Sequence, residues 1–268
     1  MTTLKGRTCV FSGGSGRVGR GAVKAMCEAG MNVVLSTHMI RDAREIVESL
    51  KDCEGKCIAI SAECVLDVVS ENGENKVVEL PALDKDSGAS NLEYAKNRFG
   101  SVDVVISNTG AFDSPVPVED ITPDDLSKKL THQIIGSFTS VLNALPYLKE
   151  SKAPRIILNA SAGAQDGLES EYLCDSVARG GVISLTYCLA KELAKYGITV
   201  NCIAKSGIIN DHEPHGRVLD TATLIPQIPV GRLGTADEYG AAVQYLVSEE
   251  AAFITGQVIN LSGGLHIG

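Results

Sequence analysis

The sequence predicts an α/β fold: one doubly wound, mostly parallel sheet of about seven strands, layered between helices on both faces. Three observations carry this. Short apolar runs recur along the 268 residues. They are β-branched and continuous rather than alternating, the pattern of parallel strands buried on both faces. Helical stretches separate them, and repeated β–α alternation winds such a sheet. A glycine-rich turn joins the first apolar run to the first helical stretch.

The strands follow in order. "RTCVFSG" opens the sheet, "NVVLST" and "KCIAIS" extend it, and "VDVVIS", "RIILNAS", "ITVNCIA" and "QVINLSG" complete it. Between them "GRGAVKAMCEAG" and "GVISLTYCLAKELAKYG" read as helices, each stopped by glycine. "EDITPDDLSKKLTHQIIGSFTSVLNALPYL" reads as one long amphipathic helix, with Thr122 as N-cap, Pro123 in the first turn and Asp124 and Asp125 beside it. Residues 63–86 interrupt the rhythm. They are acidic and carry Asn72-Gly73 between apolar runs, which predicts a small hairpin or a solvated surface insertion. Nothing divides the chain, so residues 1–268 are expected to form one domain.

Composition excludes several classes. A net charge of −9 argues against a nucleic-acid partner, because phosphate neutralisation needs a basic patch. No apolar run approaches the roughly 20 residues that span a bilayer, so no membrane association is expected. The N-terminal stretch does not read as a signal peptide. The eight cysteines (9, 27, 53, 57, 64, 174, 188 and 202) are scattered. Cys53 and Cys57 lack a second pair at zinc spacing, so no metal is expected. Reduced thiols imply a cytoplasmic location.

The turn "SGGSGRVGRGAV" contains Gly14-x-Gly16-x-x-Gly19. In a strand–turn–helix context this is a dinucleotide fingerprint, and the sheet is then of Rossmann type. Glycine lets the backbone approach a pyrophosphate, and the helix N-terminus offers N–H groups and a favourable dipole. Ser12, Gly13, Gly14, Ser15, Gly16, Arg17, Val18 and Gly19 are the candidate cradle. The second strand ends "LSTHMIRD", where an acidic residue would favour NAD(H). Thr37 and His38 stand there instead, with Arg17 and Arg41 near in sequence, so NADP(H) is slightly favoured over NAD(H).

Taken together these stretches resemble the short-chain dehydrogenase/reductase family over essentially the whole chain. "FSGGSGRVG" is similar to its cofactor loop, "VDVVISNTG" to its Asn-Asn-Ala-Gly strand end, and "RIILNASAG" to the strand bearing its catalytic serine. "GVISLTYCLAKELAKYGITVNCIA" resembles its fifth helix and sixth strand, and the stretch from Gly231 to Ile267 resembles its C-terminal end. The resemblance implies hydride transfer with a small carbonyl, alcohol or enone substrate, and a homotetramer or homodimer. It implies catalytic roles at Ser161 and at Gln133, where the family has asparagine. It implies cofactor contacts at Asn108, Gly110, Arg179, Lys205 and Ser206, and a substrate-covering loop over residues 206–229, with His212, Glu213 and His215.

The departures are as specific. Arg17 replaces the middle glycine, Thr109 the alanine, and Lys205-Ser206 the usual Pro-Gly. Asp175 and Arg179 occupy the positions of the family's tyrosine and lysine. Aspartate ordinarily titrates near pH 4, so Asp175 cannot copy a phenol. Tyr172 stands seven residues before Arg179. In a helix that interval places Tyr172, Asp175 and Arg179 on one stripe. The Tyr-x6-Arg spacing resembles the Tyr-x6-Lys of the family's enoyl reductases, which points to Tyr172 as the proton donor. Three readings remain open: redox catalysis through Tyr172, a dinucleotide binder that has lost its catalyst, and lyase or isomerase chemistry in the same pocket.

Overall fold

The computed structural model describes residues 4–16, 18–83, 90–108, 115–167, 172–208 and 221–268. Nine strands form one sheet: β1 (Thr8–Ser12), β2 (Asn32–Ser36), β3 (Cys57–Ile60), β4 (Cys64–Glu71), β5 (Glu74–Pro81), β6 (Val104–Ser107), β7 (Arg155–Ser161), β8 (Thr199–Lys205) and β9 (Val258–Leu261). Their spatial order is β5-β4-β3-β2-β1-β6-β7-β8-β9. The seven strands that the sequence predicts are all present and pair in parallel.

The count is nine because residues 64–81 form the small hairpin, one of the two forms the sequence allows, and both of its strands join the sheet. Asn72 and Gly73 both take positive φ, 52° and 84°, as a two-residue type I′ turn requires. The turn folds β5 back on β4, and β4 then pairs antiparallel with β3 through Ala59–Leu66 and Ile60–Val65. Residues Cys64 to Val68 are buried, with Leu66 in one core layer and Val65 in the other. Being covered on both faces, β4 has no polar alternation to reveal its pairing.

The helices are α1 (Gly19–Glu28), α2 (Ile40–Leu50), α3 (Asn91–Phe99), α4 (Pro123–Leu130), α5 (Gly136–Leu148), α6 (Leu173–Leu193), α7 (Thr221–Leu224) and α8 (Ala236–Val247). Helices α1, α2 and α8 cover one sheet face over Phe11, Leu35, Ile106 and Tyr239. Helices α3, α5 and α6 cover the other over Val34, Ile156, Leu158 and Val182. Each such buried aliphatic side chain contributes about 1.5–3 kcal/mol.

Two local features position the site. Helix α1 crosses α8 backbone against backbone: a Cβ at Gly21 would lie 1.9 Å from the Ala236 carbonyl, and one at Gly240 would lie 2.4 Å from the Gly21 carbonyl. The expected long helix is divided, since residues Thr131–Ile135 between α4 and α5 form one π-helical turn. Such turns rotate the side chains that follow, and they often occur at functional sites. Thr122 caps α4 as predicted, and it and Asp125 exchange reciprocal side-chain-to-backbone bonds.

Candidate functional site

The strand order reverses between β1 and β6, and a crevice opens there at the carboxyl ends of the strands. Gly13 turns the chain out of β1 with φ of +78°, and a Cβ there would sit 2.3 Å from the Asn108 carbonyl. Asn108 Nδ2 donates to the Gly13 carbonyl at 3.3 Å. A Cβ on Gly19 would meet the Gly13 and Gly14 carbonyls at 2.7 Å. The fit between turn and helix therefore depends on bare backbone at both ends of the loop. Gly16 is exposed, and only the Gly13 carbonyl approaches its Cβ position, at 3.3 Å.

Helix α1 starts behind this loop without a side-chain cap and with no acidic residue in its first turn. The Arg20 and Gly21 N–H groups donate to the Gly16 and Val18 carbonyls, both at 3.3 Å, and the helix end turns its positive dipole toward the loop. The buried Nε of Arg20, in that turn, has no hydrogen-bond partner. These features fit a pyrophosphate. At the end of β2, Thr37 is buried, and its Oγ1 accepts from Ser15 Oγ and the Met39 N–H, both at 2.8 Å. That bond joins the glycine loop to the second strand. His38 and Arg41 are exposed beside it. Arg17 and Gly110 lie outside the described residues, as do Thr109, His212, Glu213 and His215.

A second arrangement lies where α4 and the π turn meet the start of α6. Asp175 is 2% exposed. Its Oδ1 accepts from Gln133 Nε2 at 2.8 Å and from Lys129 Nζ at 3.2 Å. The carboxylate at the family's tyrosine position is thus engaged by an ammonium and an amide. Tyr172 is not inside the helix as expected; it is the N-cap residue, with φ of −111° and ψ of 45°. The first residue of α6 is Leu173. Tyr172 nevertheless lines a cavity of about 340 Å³ together with Asp175, Lys129, His132, Val116 and Ile121. Ser161, at the end of β7, and Arg179, one turn after Asp175, are fully or nearly buried.

The third arrangement is the least visible in the sequence. Lys205 ends β8, and its Nζ donates to Asn108 Oδ1 and, at 3.2 Å, to Asn159 Oδ1. Tyr239 of α8 donates its hydroxyl to the same Asn159 Oδ1 at 2.9 Å, and the lysine stands 5.3 Å from the Tyr239 ring centre. Burial, reinforced by the nearby Arg179 guanidinium, pushes the Lys205 ammonium down to about 7. Ser206 continues the chain with its N–H on the Leu261 carbonyl.

Sequence reasoning names Gln133, Asp175, Asn108 and Lys205, but not Lys129 and Asn159, which bond to them, or Tyr239, which bonds to Asn159. Lys129 had a signal, since it stands four residues before Gln133 on the same helical face. Asn159 also had one, because strand alternation puts it on the face of Ser161. Tyr239 had none, lying 80 residues beyond Asn159 on another element.

Comparison with known proteins agrees with this architecture. The family model described as "Enoyl-(Acyl carrier protein) reductase" matches residues 59–266. Glucose 1-dehydrogenase 2 of Bacillus subtilis is 27% identical over 98% of this chain and 96% of its own. The 3-oxoacyl-(acyl-carrier-protein) reductase of Escherichia coli is 29% identical over 84% of this chain and 92% of its own. A short-chain dehydrogenase/reductase from Serratia marcescens superposes with a TM-score of 0.81 at 22% identity, covering 99% of this chain and all of its own. By the matched profile, the full-length relatives and the shared sheet, the chain belongs to the short-chain dehydrogenase/reductase family of NAD(P)-dependent oxidoreductases.

Proposed function

We propose that the protein transfers hydride between a nicotinamide dinucleotide and a small substrate carrying a carbonyl, an alcohol or an activated double bond, with Tyr172 as the proton donor. The observation that carries this reading is the bare-backbone turn of Gly13 to Gly19 in front of an uncapped α1, at the reversal of strand order. The loop and the positive end of the α1 dipole would hold the pyrophosphate. Asn108 fixes the loop through Gly13. Exposed His38 and Arg41, in the absence of a carboxylate at the end of β2, favour NADP(H) over NAD(H). When bound, the nicotinamide supplies or accepts the hydride.

The chain's own residues handle the proton. Tyr172 lines the cavity beside Asp175 and presents a phenol hydroxyl there that can act as a general acid. Asp175 accepts from Lys129, which also lines the cavity, and from the buried Gln133. Arg179 supplies a permanent positive charge on α6 for ribose hydroxyls. Ser161, at the end of β7, is the candidate to orient the substrate oxygen.

Tyr172→Phe should lower the rate by roughly a hundredfold or more, the usual contribution of a positioned acid, with Kd for the dinucleotide unchanged. An unchanged rate would remove Tyr172 from the mechanism. The engagement of Asp175 by both Lys129 and Gln133 favours a second reading, a dinucleotide binder without turnover. A panel of carbonyl and enone substrates separates the two: turnover of any member, with oxidation or reduction of the dinucleotide, excludes the second.

The assembly is read as a homotetramer or homodimer. Ile135, Phe138 and Leu142 are exposed along α5 and the turn before it, and Val177 and Tyr187 are exposed along α6. Apolar rows of this kind suit burial against a second copy of the chain.

A further inference from the structure

Lys205 is a charged side chain in an unusual place. It ends a central strand, is largely enclosed, and points at two side-chain amides rather than at a carboxylate. Both amides turn their oxygens toward it. Asn159 is fixed in that sense because its Nδ2 donates to the Ser107 carbonyl at 3.1 Å. Asn108 is fixed because its Nδ2 donates to the Gly13 carbonyl. The chain of bonds therefore runs from β8 through Lys205 and Asn108 into the first residue of the glycine turn.

We propose that Lys205 is a positioning residue whose protonation clamps the Gly13 turn through Asn108, so that dinucleotide binding takes up a proton near neutral pH. The inference rests on the dinucleotide-binding reading above. Three facts support it. A protonated amine makes charge-assisted bonds to both amide oxygens, and these are shorter and stronger than those of a neutral amine. Burial and the Arg179 guanidinium place the loss of that proton near 7 in the protein alone. A pyrophosphate on the Gly13 turn would bring negative charge toward the lysine and favour the ammonium.

Among the described residues, no neighbour titrates in competition with it. From α6 it faces Arg179, which stays charged. From its own strand it faces the Cys202 thiol, which burial pushes up to about 12. From α8 it faces the Tyr239 phenol, which burial also pushes up. From β6 and β7 it faces neutral amides. The sign follows: the amine has its proton below about pH 7 and loses it above. A bound anion raises that midpoint, so affinity is full at low pH and falls as pH rises.

The test is a fluorescence titration with NADPH, and with NADH as the probe lacking a 2′-phosphate, from about pH 6.5 to 8.5. It uses the full chain and the variants Lys205→Met and Lys205→Arg. In the unsubstituted protein Kd should rise roughly tenfold over that range, within the limit of tenfold per pH unit for one proton. Lys205→Arg keeps its charge throughout, so its profile should lose this slope whatever its absolute affinity. Lys205→Met should bind more weakly at low pH and also lose the slope. Calorimetry in two buffers of different ionisation enthalpy should register proton uptake by the unsubstituted protein near pH 7.5 and none by Lys205→Arg. These two measurements decide the matter even if Lys205→Met fails to fold. A slope shared by all three proteins, a flat profile in the unsubstituted one, or uptake retained by Lys205→Arg overturns the inference alone. Absence of dinucleotide binding at every pH overturns the functional reading as well.

Discussion

Asp175, which the sequence reading sets against the family's tyrosine, has its carboxylate buried against one ammonium and one amide. Removing one partner of a buried charge pair leaves the other exposed to a low dielectric, at about 3–5 kcal/mol. The Lys129 side chain is 14% exposed, so part of that cost is relieved by water. Asp175→Asn should therefore destabilise the protein by about 2 kcal/mol, below that range, in denaturant unfolding. A change under about 0.5 kcal/mol, typical of an unremarkable surface substitution, would show that the three groups are not coupled. At this scale the sequence identified Gln133 and Asp175 by their offsets from "QIIGSF" and "GVISLT". It could not pair them, because they are 42 residues apart and meet only when α4 packs on α6. Tyr172 is the reverse case: its residue type was legible, but its place at the N-cap was not.

Helix α1 follows the glycine turn proposed to hold the pyrophosphate, and it crosses α8 backbone against backbone. Gly21→Ala would place a methyl 1.9 Å from the Ala236 carbonyl, a backbone atom that cannot rotate away. The helices must separate, at about 3 kcal/mol by the upper range for overpacking. Unfolding should report that loss, and dinucleotide affinity should fall with it because α1 shifts as a unit. Unchanged stability would mean that the helices do not cross this closely. Among the elements, the hairpin of β4 and β5 was legible as a turn from Asn72-Gly73. Its membership in the sheet was not. That depends on β4 pairing with β3 and on Asp67, buried beneath α3, accepting from Arg98 Nε at 2.9 Å and Tyr94 at 3.0 Å. The π turn was equally hidden, since the apolar period runs through it without a break.

For the whole molecule, the exposed row of Ile135, Phe138 and Leu142 bears on assembly. Phe138→Glu should leave the fold and the monomer's dinucleotide binding intact and reduce the assembly mass in sedimentation, since an isolated charge resists burial in an apolar interface. An unchanged mass would place the interface elsewhere, and a monomeric parent protein would remove the oligomer proposal. No helix among the described residues is long and apolar enough to cross a membrane. By itself the sequence determined the seven parallel strands, the glycine turn and the family, because these are written in contiguous residues: apolar runs, turn formers and motif spacing act over a few positions at a time. Only the tertiary structure decided that Lys205 binds Asn108 and Asn159, that Lys129 joins Asp175, and that the hairpin lengthens the sheet to nine strands. Those contacts join side chains from elements far apart in the chain, and their partners are set by how helices and strands pack, which no local pattern encodes.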